Sequence, residues 1–130
     1  MAHWLMKSEP GSYSWDDLVR DGGTEWDGVR NPAARLHLKA MRAGEEAFLY
    51  HSGAEKAVVG IVRIARGPAP DPKDAAWVSV RVEPVRPVGP VALKALRAEP
   101  GLAGLAMLRQ SRLSASPVSE EEWAAILALA

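Results

Sequence analysis

The chain has 130 residues, and its sixteen basic and sixteen acidic side chains give a formal net charge of zero. It has no cysteine, which excludes disulfides and thiolate metal sites. No apolar run approaches the ~20 residues needed to span a bilayer.

A length of this order suits one domain, residues 1–130, with a core that needs no staples. The N-terminus runs straight into His3, Trp4 and Lys7, without the basic and then apolar order of a signal peptide. With no cysteine to oxidise, a cytoplasmic location is the expectation. The sequence is compatible with a monomer and does not fix the oligomeric state. Charge neutrality constrains function as well. Proteins that grip a nucleic-acid backbone usually carry a basic excess, so any nucleic-acid binding here must depend on a pocket more than on charge. Five tryptophans supply the flat apolar walls that such a pocket would use.

Residues 3–8 read as a short strand, broken by Glu9-Pro10-Gly11. Ser14 and Asp17 have capping-box spacing, and Trp15, Leu18 and Val19 fall on one helical face. Asp21-Gly22-Gly23 ends that helix. Residues 24–30 are polar and turn-rich around Trp26. Asn31-Pro32 opens a second helix, with Asn as N-cap and Pro at N1, running to about Arg42 and stopping at Gly44. Residues 46–51, 57–65 and 77–85 read as strands. The second is almost continuously apolar; the third alternates Val78, Val80 and Val82 against Ser79, Arg81 and Glu83. Residues 68–72 and 86–90 are expected as Pro-rich loops. Residues 91–98 read as a short helix, and 105–116 as a loop entering a strand. Ser119 and Glu122 form a second capping box, opening a helix that buries Trp123, Ile126 and Leu127.

Irregularly interleaved strands and helices indicate an α+β domain with a curved, mainly antiparallel sheet. No serine lies in a GxSxG elbow. The histidines at 3, 37 and 51 lack metal-binding spacing, and no phosphate-cradling loop is present. No pair of carboxylates suggests an acid and a base. A non-catalytic binding module without cofactor or metal is therefore the first expectation. A small-molecule-binding protein or an enzyme using the same cavity is the alternative, and a protein-interaction domain ranks third.

Four segments carry a resemblance that covers essentially the whole chain: residues 4–10 (WLMKSEP), 26–31 (WDGVRN), 48–52 (FLYHS) with Val59-Gly60-Ile61, and 109–114 (RQSRLS). In this order, followed by the Pro117 to Trp123 segment, they resemble the EVE domain. The resemblance implies a PUA-like β-barrel flanked by short helices, related to YTH and ASCH domains. It also implies a nucleic-acid partner carrying a modified base, with methylated or hydroxymethylated cytosine among the suggested ligands. The first segment is similar to the Lys-Ser start of YTH domains, which cage a methylated adenine between aromatic residues. Residues 52–56 form a short connection here, which removes any ligand contact from a longer loop.

A base pocket needs a flat apolar wall, donors and acceptors in the base plane, and exclusion of water. Trp26 is the candidate wall, or else a core residue anchoring its loop, and Val29 belongs to the same segment. Asn31 can meet a base edge or cap its helix. Asp27 and Arg30 can pair with each other, or Arg30 can touch phosphate. Lys7 is a phosphate contact or a solvated strand residue, and Ser8 a pocket residue or a turn former. Tyr50 and Ser52 share one face at a strand end, with His51 on the other. Arg109, Gln110, Ser111, Arg112 and Ser114 form a polar run between apolar neighbours, expected to face either carboxylates or the ligand.

Overall fold

A computed structural model describes residues 1–110 and 112–130, leaving Ser111 outside the described residues. Six strands join one sheet in the order β2-β5-β4-β3-β1-β6. They are β1 (His3–Ser8), β2 (Thr24–Trp26), β3 (Glu46–His51), β4 (Ala57–Pro70), β5 (Val78–Ala92) and β6 (Ala115–Val118). β1 and β3 run parallel, and the other four neighbouring pairs are antiparallel. The sheet does not close, because β2 and β6 remain its edges. Register shifts interrupt the β3–β4 and β4–β5 ladders. Each such irregularity adds local twist, so the sheet curls as a PUA-like fold requires.

Alternation along β1 and β3 divides the core between the two faces. Trp4 and Met6 with Ala47 and Leu49 face one cluster; Leu5 with Phe48 and Tyr50 faces the other. The first cluster lies under α1 (Trp15–Asp21) and α2 (Pro32–Ala40). The second lies under α3 (Leu93–Ala98), α4 (Ala106–Arg109) and α5 (Glu120–Leu129). Trp123 of α5 stacks on Phe48, with ring centroids 3.9 Å apart. Both capping boxes form, at Ser14–Asp17 and Ser119–Glu122. Among the described residues, no helix is long and apolar enough to cross a membrane.

Several boundaries differ from expectation. β4 continues to Pro70 and β5 to Ala92, so 68–70 and 86–90 are strand and not loop. Pro tolerates strand geometry where it need not donate to a ladder, and most of residues 84–90 are exposed or half-buried. Residues 24–26 form a strand because they pair with Val80–Val82 of β5, a partner more than fifty residues away. Residues 106–109 form a helical turn within the expected loop. α2 ends at Ala40, two residues early, as Met41 turns extended and the Arg42 N–H donates to Glu45 Oε1 at 2.8 Å.

Trp15 lies over Gly60 of β4. A Cβ there would sit 2.4 Å from two ring carbons, so only glycine admits the indole. Gly60→Ala is therefore expected to lower unfolding stability by about 1–3 kcal/mol through overpacking. A wild-type urea midpoint would show that the ring moves aside at no cost.

Candidate functional site

The main cavity, about 730 Å³, opens beside β2 and the segment leading into α2. That volume falls within the range of ligand pockets. Two aromatic rings line it, Trp26 at the end of β2 and Tyr13 just before α1. Trp26 is only 9 % exposed and belongs to the first core cluster, so its ring is shared between core and cavity. Tyr13 donates its hydroxyl to Asp21 Oδ2 at 2.8 Å, which fixes the ring across the length of α1. Burial, then that carboxylate, raises the Tyr13 pKa, so the phenol keeps its proton.

The middle of the wall from Asp27 to Asn31 is anchored by Asp71. Its side chain is fully buried beneath the segment. Oδ2 accepts from the Gly28 N–H at 2.9 Å and from Arg30 Nη1 at 3.0 Å; Oδ1 accepts from the Lys73 N–H at 2.7 Å. Burial alone would raise the carboxyl pKa. The two backbone donors and the guanidinium more than offset this and hold it at about 2. Gly28 sits at φ 77°, a turn that aims its N–H at Asp71. Asp27 and Arg30, which could pair with each other, take other partners: Arg30 turns to Asp71, and Asp27 faces Lys73 Nζ at 3.7 Å. The reason is that Asp71 offers a buried acceptor already shared with the loop backbone, which an exposed neighbour cannot match. Arg30 also lies over the Trp77 ring, 5.6 Å from its centroid.

Asn31 does cap α2, with Oδ1 accepting from the Ala34 N–H at 3.0 Å. The cap uses the carbonyl only, and the amide's two N–H donors remain for the cavity that Asn31 lines. Val29 is buried against the same core as Trp26. Lys7, Ser8 and Ser114 also line the cavity, and the Lys7 N–H donates to the Ser114 carbonyl at 2.9 Å. The Ser8 hydroxyl donates to the Tyr13 carbonyl at 2.5 Å, which ties the end of β1 to the aromatic wall. Glu25 also lines the cavity, but Arg66 grips both its oxygens at 2.5 and 3.0 Å. That guanidinium lowers the Glu25 pKa and neutralises the carboxylate on the wall.

The EVE domain family matches residues 2–129. The chain belongs to the EVE domain family. Human thymocyte nuclear protein 1 is 45% identical over 82 residues, which is 54% of this chain and 36% of that protein. The chain spans about a third of the length of the curated relatives it matches. Among solved structures, Rpa0253 of Rhodopseudomonas palustris is 47% identical, with a TM-score of 0.93, covering 99% of this chain and 92% of that one. Human THYN1 protein, solved in complex with 5-methylcytosine-containing DNA, is 31% identical with a TM-score of 0.92, covering 99% and 97%. An ASCH protein from Zymomonas mobilis shares the fold alone, at 10% identity and a TM-score of 0.60 over 98% and 97% of the two chains.

In this EVE domain the other expected site residues lie elsewhere. His51 is buried and does not line the main cavity. Its Nε2 accepts from the Trp15 N–H at 3.0 Å, and Nδ1 lies 2.5 Å from Glu55 Oε1. The ring therefore fastens α1 to the end of β3. Tyr50 and Ser52 share a second, smaller cleft with Lys7. Arg109, Gln110 and Arg112 are exposed, outside the main cavity, and make no ion pair among the described residues. The three side chains sit on a surface turn, Ser114 of the same run lines the main cavity, and Met107 and Leu113 are buried. Ser111 of that run lies outside the described residues. Tyr13 and Asp71 were not anticipated. Asp71-Pro72 signals a turn, but no local pattern tells that its carboxylate reaches Gly28.

Proposed function

We propose that this EVE domain is a non-catalytic nucleic-acid-binding module that holds a modified cytosine, 5-methylcytosine or its hydroxymethyl analogue, in the Trp26–Tyr13 cavity. The observation that carries the reading is a cavity with two aromatic rings beside an Asn whose N–H donors its own helix does not use. The human relative solved with 5-methylcytosine-containing DNA supports it.

The roles follow from the chemistry of cytosine. Its N4 amine is a donor, which suits the Asp27 carboxylate; carboxylates are the usual acceptors from that group. Its O2 and N3 are acceptors, which suits the Asn31 amide. A 5-methyl group needs an apolar contact, and Val29 and Trp26 offer one. Base stacking on the rings is worth roughly 1–3 kcal/mol per base. A base inside a duplex must leave the stack to reach such a cavity, so single-stranded or extruded bases are favoured.

The test is a titration of strands that differ only in one cytosine, methylated or not. Tighter binding of the methylated strand is expected, without turnover of the base. Equal affinity for both strands would defeat the reading. The Asn31→Asp variant separates cap from site. Asp caps helices as well as Asn does, so stability should change by less than about 0.5 kcal/mol. The donors are gone, however, and a carboxylate repels the cytosine acceptors. Affinity should fall at least about tenfold, a bidentate base contact being worth ~1–3 kcal/mol. Wild-type affinity would reduce Asn31 to a cap.

A further inference from the structure

Beside the main cavity lies a cleft of about 250 Å³. Lys7 lines both, so the two share a wall. Lys7 is joined there by Lys56 and Arg97, and Ser52 and Tyr50 also line the cleft. Among the described residues, neither Lys56 nor Arg97 has a carboxylate within ion-pair distance. Glu55, the nearest acid in sequence, is drawn to His51 instead. Three cations thus converge on one small cleft in a chain with no net charge.

The backbone holds two of them in place. Lys56 takes φ 49°, a left-handed conformation uncommon for a residue other than glycine. Its carbonyl accepts from the Leu93 N–H at 2.8 Å, which ties the turn to the start of α3, the helix that carries Arg97. Lys7 Nζ lies 5.8 Å from the centroid of the Tyr50 ring, on the floor of the cleft. Burial lowers the Lys7 pKa, and a bound anion would reverse that shift.

We propose that this cleft is a phosphate subsite, in which Lys56 and Arg97 hold the phosphodiester of the nucleotide next to the pocketed base. This rests on the base-binding reading above. The cleft is smaller than pockets that enclose whole ligands, but a phosphate needs only charge and donors, and Ser52 and Tyr50 add hydroxyls. A single subsite also reconciles nucleic-acid binding with a neutral chain, because it neutralises one or two phosphates and no more.

The experiment compares wild type with Lys56→Gln and Arg97→Gln, both at exposed positions where folding is not at stake. Each is titrated with methylated and unmethylated strands at several salt concentrations. Each strand is also made with a single uncharged methylphosphonate placed in turn at the linkages flanking the base. Each Gln variant should weaken both strands roughly tenfold and flatten the salt slope by about 1, leaving the preference for the methylated strand intact. One methylphosphonate position should weaken wild type by a similar factor and add nothing to the Arg97→Gln loss. Gln variants with wild-type affinity and salt slope, or a methylphosphonate penalty fully additive with Arg97→Gln at every linkage, would overturn the subsite. A wild type whose salt-dependent binding ignores methylation would instead overturn the base reading and leave the subsite standing. Absence of any nucleic-acid binding would overturn both.

Discussion

Trp26→Ala is expected to lower the stability of the domain by about 3–5 kcal/mol and to abolish selective binding of the modified base. The indole is 9 % exposed and packs with Val29 and Val80 in the first core cluster, so truncation opens a cavity inside the fold. The same ring also lines the main cavity, so the variant loses its stacking surface. The two losses can be separated. Trp26→Phe keeps a flat ring and most of the apolar volume, with a stability cost on the order of 1–2 kcal/mol. It should keep part of the affinity, measured below the midpoint of thermal unfolding. Urea unfolding of the Ala variant at the wild-type midpoint would mean that the ring is no part of the core. A stable Phe variant with no loss of affinity would mean that the indole contributes packing alone.

Trp26 also shows where sequence reading succeeds and where it stops. A large indole in a polar, glycine-containing segment stands out, because no amphipathic stripe explains it. Whether it serves the core or a cavity depends on β2, and β2 exists only through pairing with Val80–Val82 of β5. Local signals fared well elsewhere for a physical reason. Capping boxes, the Asn-Pro helix start and the left-handed Gly22 cap are decided within four or five residues. The ends of β4 and β5 are not, since their prolines look like breakers unless the partner strand is known. Asn31 suits either a cap or a ligand contact by sequence, and it lines the cavity while capping because its amide has two chemically distinct ends. Buried carboxylates were the least legible. Glu45 accepts from Trp4 Nε1 at 2.9 Å and the Arg42 N–H at 2.8 Å, and nothing in its neighbours distinguishes it from an exposed Glu.

Asp71 is the other such carboxylate, and it is expected to matter more than its exposed partner. Asp71→Ala would leave the Gly28 and Lys73 N–H groups without acceptors and Arg30 without its ion pair. Each orphaned donor costs about 1–3 kcal/mol if it stays buried, but Arg30 is 39% exposed and water can replace its partner. A net loss of about 2–3 kcal/mol is expected. Arg30→Ala should cost no more than about 1 kcal/mol, because Asp71 keeps its two backbone donors. The pH dependence follows from the depressed pKa. The folded carboxyl titrates at about 2 against an ordinary value of 3.8, so its contribution is complete above the ordinary value. It is lost as pH falls through the folded value. The gap in unfolding free energy between wild type and Asp71→Ala should therefore narrow from pH 4 to pH 2. A gap unchanged across that interval would show that the charge of Asp71 does not hold the loop. The consequence for the site is direct, since the same hydrogen bonds fix the wall from Asp27 to Asn31. Asp71→Ala should weaken binding of the methylated strand although Asp71 lies beneath the wall, and an unaltered affinity would mean that the wall keeps its shape without this anchor.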